Sequence, residues 1–172
     1  MKPLVKVPFV LFMAMFVHIT VMASIHIDHV RPDVLLLVTI VSGLVCGSEQ
    51  GAGIGFVLGV FADLTLQTPF GLSALVLTLV GFGVGTLQSL ILRSSWWIPP
   101  ATAVVASAMG VVLFATIGAL IGQSQLLRPG PGHLMVVAGL VAVMNGIVAV
   151  PAAAAVKWAT RTGQADRAFA TR

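Results

Sequence analysis

GAGIGFVLGVFADLTL, residues 51–66, carries a single charged side chain. At ~1.5 Å rise per residue it makes a helix of ~24 Å, against a bilayer hydrocarbon thickness of ~30 Å. Gly51, Gly55, Gly59 and Asp63 recur at every fourth position, which puts them on one face of that helix. Lipid tails are as apolar as Leu, so helices in a bilayer gain little by hiding apolar surface from each other. They associate through close packing and hydrogen bonds, and small residues at four-residue spacing mark such contacts. A carboxylate turned to lipid near the bilayer centre costs at least ~2.5 to 3.5 kcal/mol, so Asp63 is expected to face protein. His18 and Arg31 are the candidate partners at its depth. A structural hydrogen bond or ion pair, and a role toward a ligand, a proton or a partner helix, both fit this residue.

The same composition holds along the chain, which has 172 residues, 58% of them hydrophobic and 8% charged. Soluble domains carry roughly 25% charged residues because water demands a polar exterior. Here the polar residues collect in short stretches between long apolar runs, so lipid is the expected outer solvent. Six helices are read: about Pro8 to Ile25, Pro32 to Cys46, Gly51 to Leu66, Leu72 to Leu92, Ala101 to Ile121 and Leu134 to Val156. Between them lie a polar cluster around His26 to Arg31, the turns Gly47-Ser48-Glu49-Gln50 and Thr68-Pro69-Phe70-Gly71, and Arg93 to Trp97 with the breaker pair Pro99-Pro100. The segment Gln123 to His133, with its Pro and Gly, reads as the longest loop. The expected fold is an all-α integral membrane protein, a six-helix transmembrane bundle over residues 1–158 followed by a short basic cytoplasmic tail, 159–172.

The first apolar stretch also has the outline of a secretory leader, with Lys2 and Lys6 ahead of it and Val21-Met22-Ala23 as a cleavage site. Its length from Val7 to Ile25 suits a full span instead. Six spans put both termini on one side. Lys2, Lys6, Arg93, Lys157, Arg161, Arg167 and Arg172 fall on that side and only Arg31 and Arg128 on the other, so the positive-inside rule places both termini in the cytoplasm. Trp96, Trp97 and Trp158 fall at the same interface, where indole rings favour the headgroup level. The basic residues are scattered, with no patch interleaved with aromatics, which argues against nucleic acid. Continuously apolar runs argue against a transmembrane β-barrel.

Asp33 stands beside Pro32 at the start of the second helix, where a carboxylate complements the positive end of the helix dipole. Gly81 and Gly85 on the fourth helix, and Gly118 and Gly122 on the fifth, repeat the four-residue spacing and are expected to mark close packing. Asn145, near the middle of the sixth helix, reads as interhelical glue, since intramembrane amides tie helices together. Cys46 is the only cysteine, which excludes an internal disulfide and a site of several thiolates. HExxH, GxxxxGK[ST] and GxSxG are absent. Ser73, in Gly71-Leu72-Ser73-Ala74, follows no strand and has no triad base. No catalytic machinery, cofactor site or metal site is expected.

The run Gly55 to Leu64, ending Ala62-Asp63-Leu64, followed by Thr68-Pro69-Phe70-Gly71-Leu72-Ser73-Ala74-Leu75, resembles the central signature of the rod shape-determining protein MreD family. Arg31-Pro32-Asp33 and Asn145-Gly146 followed by Pro151 resemble that family too, so the similarity extends over about residues 5 to 158. Members often carry basic residues in the turn where this chain has Ser48-Glu49-Gln50. The resemblance implies a non-enzymatic component of the bacterial cell elongation machinery in the cytoplasmic membrane. Its implied partners are MreC directly, and indirectly MreB, RodA and a class B penicillin-binding protein. It also implies that Arg31, Asp33, Gly55, Gly59, Asp63, Pro69, Gly71 and Asn145 serve structure or partner binding. The family is similar in fold to the substrate-binding subunits of energy-coupling-factor transporters, so a vitamin-like small-molecule binding subunit is the second function the resemblance carries.

Overall fold

The computed structural model describes residues 3–24, 33–65, 69–91, 97–123 and 130–170. These form six helices: α1 (Pro3–Ser24), α2 (Val34–Cys46), α3 (Ser48–Thr65), α4 (Leu72–Ile91), α5 (Ile98–Leu120) and α6 (Pro131–Ala170). No strand occurs among the described residues.

α2 is the axis of the bundle. Every residue from Leu35 to Gly43 is buried, which a helix of ~20 Å achieves only when neighbours cover it on all sides. Leu35, Leu36, Val38 and Ile40 pack in one cluster with Leu58 and Ala62 of α3 and Leu72, Val76, Leu77 and Val80 of α4. Leu37 and Val41 turn the other way, onto Ala103 of α5 and Ala149, Ala153 and Val156 of α6. Among the buried positions of α6, Ala138, Ala142, Asn145, Ala149, Ala153 and Val156 step by three or four along the helix and share one face. Alanines on that face let the backbone of α6 approach α2 and α5 closely.

The outside of the bundle is apolar. Phe12, Phe16, Phe56, Leu64, Phe70, Met109, Met135 and Ile147 are all exposed, while His18, Thr39, Ser42, Asp63, Ser107 and Asn145 are buried. That is the inverse of the arrangement water imposes on a soluble protein. Two helical stretches, Ile98–Leu120 and Pro131–Thr160, are long and apolar enough to cross a membrane; Pro8–Thr20, Val34–Cys46 and Leu72–Gln88 are shorter apolar stretches.

Several boundaries differ from the sequence reading. Of Gly47-Ser48-Glu49-Gln50 only Gly47 is a turn, with φ of 89°; Ser48 starts α3 and Glu49 lies in its first turn, where a carboxylate meets the positive end of the dipole. Polar composition had suggested a loop where it marks a helix start. Pro99-Pro100 does not precede α5 but lies in its first turn, and Pro131 likewise opens α6. The N–H that proline lacks is unpaired there in any helix. The expected loop thus ends at Gly130, and residues 124–129 with Arg128 lie outside those described. α2 starts at Val34 with Asp33 as its N-cap, whereas Arg31, Pro32 and the His26 to Arg31 cluster are outside the described residues. α6 continues beyond Val156 to Ala170, through most of the segment expected as a tail.

Candidate functional site

α3 and α4 lie together closely because glycines line their contact. A Cβ built on Gly55 would fall against the backbone of Leu77, and one on Gly59 against Ala74 and Ser73, 2.6 Å from Ser73 O. Gly51 of α3, Gly81 of α4 and Gly43 of α2 meet at one point, where a Cβ on Gly51 would stand 2.6 Å from both Gly43 Cα and Gly81 O. The three backbones touch there with no side chain between them, the close approach small residues permit. Gly43 escaped the sequence reading because the glycine four residues on, Gly47, falls in the turn rather than on the helix. Gly122 departs from expectation: it follows the end of α5 with φ of 98°, and a Cβ on it would meet nothing within 4 Å. It is a chain-direction change, whereas Gly118 is buried as expected.

The glycine row leads directly to Asp63. This side chain is 5% exposed and accepts three hydrogen bonds from backbone N–H groups: Gly71 N to Oδ2 at 2.9 Å, Ser73 N to Oδ1 at 2.9 Å and Ala74 N to Oδ2 at 3.2 Å. Asp63 therefore caps α4 from the end of α3. The first N–H groups of a helix have no intrahelical acceptor and carry the positive end of the dipole, so one carboxylate satisfies donors and field together. Gly71 makes this possible. Its φ of 100° is left-handed backbone that only glycine adopts without strain, and it turns its own N–H onto the carboxylate. Pro69 closes the turn, its carbonyl accepting from Leu72 N at 3.2 Å.

His18 and Arg31 were the expected partners of Asp63, and for His18 this is corrected. His18 makes no hydrogen bond to it: both ring nitrogens are buried and lack a partner among the described residues. Arg31 lies outside the described residues. The sequence displays side chains and hides backbone donors, so a capping role across two helices was not visible.

A second polar node ties three helices. Asn145 of α6, 2% exposed, donates from Nδ2 to Ser107 Oγ of α5 at 2.9 Å and to the backbone oxygen of Asp33 at 3.4 Å. The carboxylate of Asp33 accepts from Leu36 N at 2.9 Å and caps α2. Ser107, fully buried, was missed. Its signal was its place among Ala103, Ala106 and Gly110, the small buried residues of α5. Asn145→Leu is expected to cost about 1 kcal/mol, the scale of a single intramembrane side-chain hydrogen bond. Detergent-mixture unfolding would measure it, and Ser107→Ala in the Asn145→Leu background should then cost almost nothing more.

Gly55, Gly59, Asp63, Pro69 and Gly71 thus gather at the α3–α4 contact, and Asp33 and Asn145 meet at the second node. Every one of these residues is used in holding helices together. No curated protein and no solved structure matches the chain, and the expected likeness to energy-coupling-factor subunits has no such match behind it. The family model described as rod shape-determining protein MreD matches residues 3–150. That range includes α1 to α5, both polar nodes and the first half of α6. The chain belongs to the MreD family, a family of membrane proteins with a role in determining rod shape.

Proposed function

We propose that this protein is a non-enzymatic scaffold of the cell elongation machinery, a multi-pass protein of the bacterial cytoplasmic membrane that receives the transmembrane helix of MreC. Through MreC it acts with MreB, RodA and a class B penicillin-binding protein to position peptidoglycan synthesis. The apolar exterior and the excess of Lys and Arg on one side support six spans with both termini in the cytoplasm. Trp97 and Trp158 are exposed and belong at the inner interface in that topology.

The observation that carries the MreC reading is a groove between α4 and α5. These two helices meet far less extensively than α3 with α4 or α5 with α6. They leave a furrow of about 740 Å³ with an almost wholly apolar wall. Gly83 of α4 and Ala101, Thr102, Ala108 and Thr116 of α5 line it. Small residues along an apolar furrow let another helix backbone come close, which is how helices recognise each other in lipid. No charged residue among those described lines the groove, so the occupant is apolar where it sits.

A bulky side chain in the furrow tests this. Gly83 has open space around its Cβ position, so Gly83→Trp fills the groove without disturbing the bundle. Co-purification of MreC from membranes containing both proteins is expected to fall about tenfold, roughly 1.4 kcal/mol of association. Ile147→Trp, on the exposed face of α6, should leave it unchanged. Equal recovery of MreC with both variants would remove the groove from the interface.

A further inference from the structure

Between the two polar nodes lies a cavity of about 220 Å³, to whose wall all six helices contribute. Leu36, Val76 and Phe114 are typical of the wall, which is interrupted by His18, Asp33 and Ser73. His18 and Ser73 are each 5% exposed. Among the described residues, neither ring nitrogen of His18 and not the Ser73 hydroxyl has a hydrogen-bond partner. Thr39 and Asn145 are buried as deeply, yet both are paired within the protein. Among the described residues, the unpaired buried side-chain groups all lie on this cavity.

A buried polar atom left unpaired costs about 1–3 kcal/mol, so three such atoms on one wall call for an occupant. Water alone fits poorly. The space is far above the ~10–15 Å³ that one water needs, and each water in it would need two to four polar partners. Three polar side chains on an apolar wall cannot supply a cluster that fills the volume. A largely apolar wall with a few convergent polar groups is the composition of a small-molecule site.

We propose that this cavity binds a small uncharged molecule with an apolar body and a head that both donates and accepts hydrogen bonds, of the carboxamide kind. A neutral imidazole offers one donor and one acceptor, and a hydroxyl offers both, so His18 and Ser73 match such a head from two sides. An anion is opposed by Asp33 on the wall and by the Asp63 carboxylate bonded to Ser73 N. A full cation would surrender its hydration to a wall of Leu, Val and Phe, a cost one carboxylate does not offset. The site is separate from the α4–α5 groove and does not depend on MreC.

The test uses the full-length protein in lipid nanodiscs, titrated with benzamide and, separately, with benzoate, and followed by saturation-transfer NMR against empty nanodiscs. Saturable benzamide binding, one per protein, is expected, with benzoate weaker by about tenfold. His18→Leu and Ser73→Ala should each weaken benzamide by about tenfold, the worth of one hydrogen bond. Ser73→Ala should not lower the unfolding temperature, because its hydroxyl has no partner among the described residues to lose. Benzamide signal no greater than in empty nanodiscs, equal binding to wild type and His18→Leu, or a lowered unfolding temperature for Ser73→Ala would each overturn the proposal. So would a structure of the MreC complex with a partner side chain, or only ordered water, in the cavity.

Discussion

Asp63→Leu is expected to destabilise the bundle by about 3 kcal/mol or more, the largest loss of any single substitution considered. Three backbone donors, on Gly71, Ser73 and Ala74, lose their acceptor at once. Hydrogen bonds to a charged group are worth about 1.5–3 kcal/mol each, and a buried donor left behind costs about 1–3 kcal/mol. The relief of no longer burying a carboxylate offsets part of the sum, which is why the expected total is well below three full bonds. Asp63→Asn keeps an acceptor oxygen but turns an amide N–H₂ toward the positive end of α4, so it should fall near half the loss of the Leu variant. Glu49 is exposed in the first turn of α3. Its replacement by Ala removes only a dipole contact of about 0.3–1 kcal/mol. Unfolding in mixed detergent micelles would rank the three variants. Equal stability of Asp63→Leu and Glu49→Ala would mean that the cap carries no energy. Since α4 also forms one side of the furrow, Asp63→Leu should lower MreC recovery, and rod shape should fail in cells that depend on the variant.

How much of this was legible beforehand depends on whether the information lies in side chains. The row from Gly51 to Asp63 could be read because a four-residue period in an apolar helix fixes a face, and that face is the buried one. The six helices could be read because long apolar runs are set apart by short polar and Pro/Gly stretches. Chemistry carried by the backbone could not. The three N–H groups under Asp63 belong to residues of ordinary type, and nothing in Gly71, Ser73 or Ala74 announces that they donate to a residue on the preceding helix. Helix starts were misjudged at Ser48, Pro99 and Pro131 because polar residues and prolines break a helix in its interior but suit its first turn. The cavity lies further still from the sequence. His18 and Ser73 are 55 positions apart in the numbering, and only the packing of all six helices leaves both facing one space.

The α3–α4 contact makes a second prediction, in which one chemical change on one helix has opposite signs at two sites. Gly59→Ala should destabilise the bundle by about 2 kcal/mol, since the new methyl group meets the backbone of Ser73 and Ala74 rather than a side chain that can rotate away. Overpacking of a close contact costs about 1–3 kcal/mol. The turn that presents three N–H groups to Asp63 would be pushed from it by the same displacement. Gly53 is exposed on α3, with nothing within 4 Å of its Cβ position. Gly53→Ala should therefore stabilise by about 0.5–1 kcal/mol, the helix-propensity difference between the two residues. Combined with Asp63→Leu, Gly59→Ala should cost clearly less than it does alone, because the cap it disturbs is already lost and neighbouring changes are not additive. Full additivity in that double variant would mean that glycine packing and the α4 cap are independent supports of the fold.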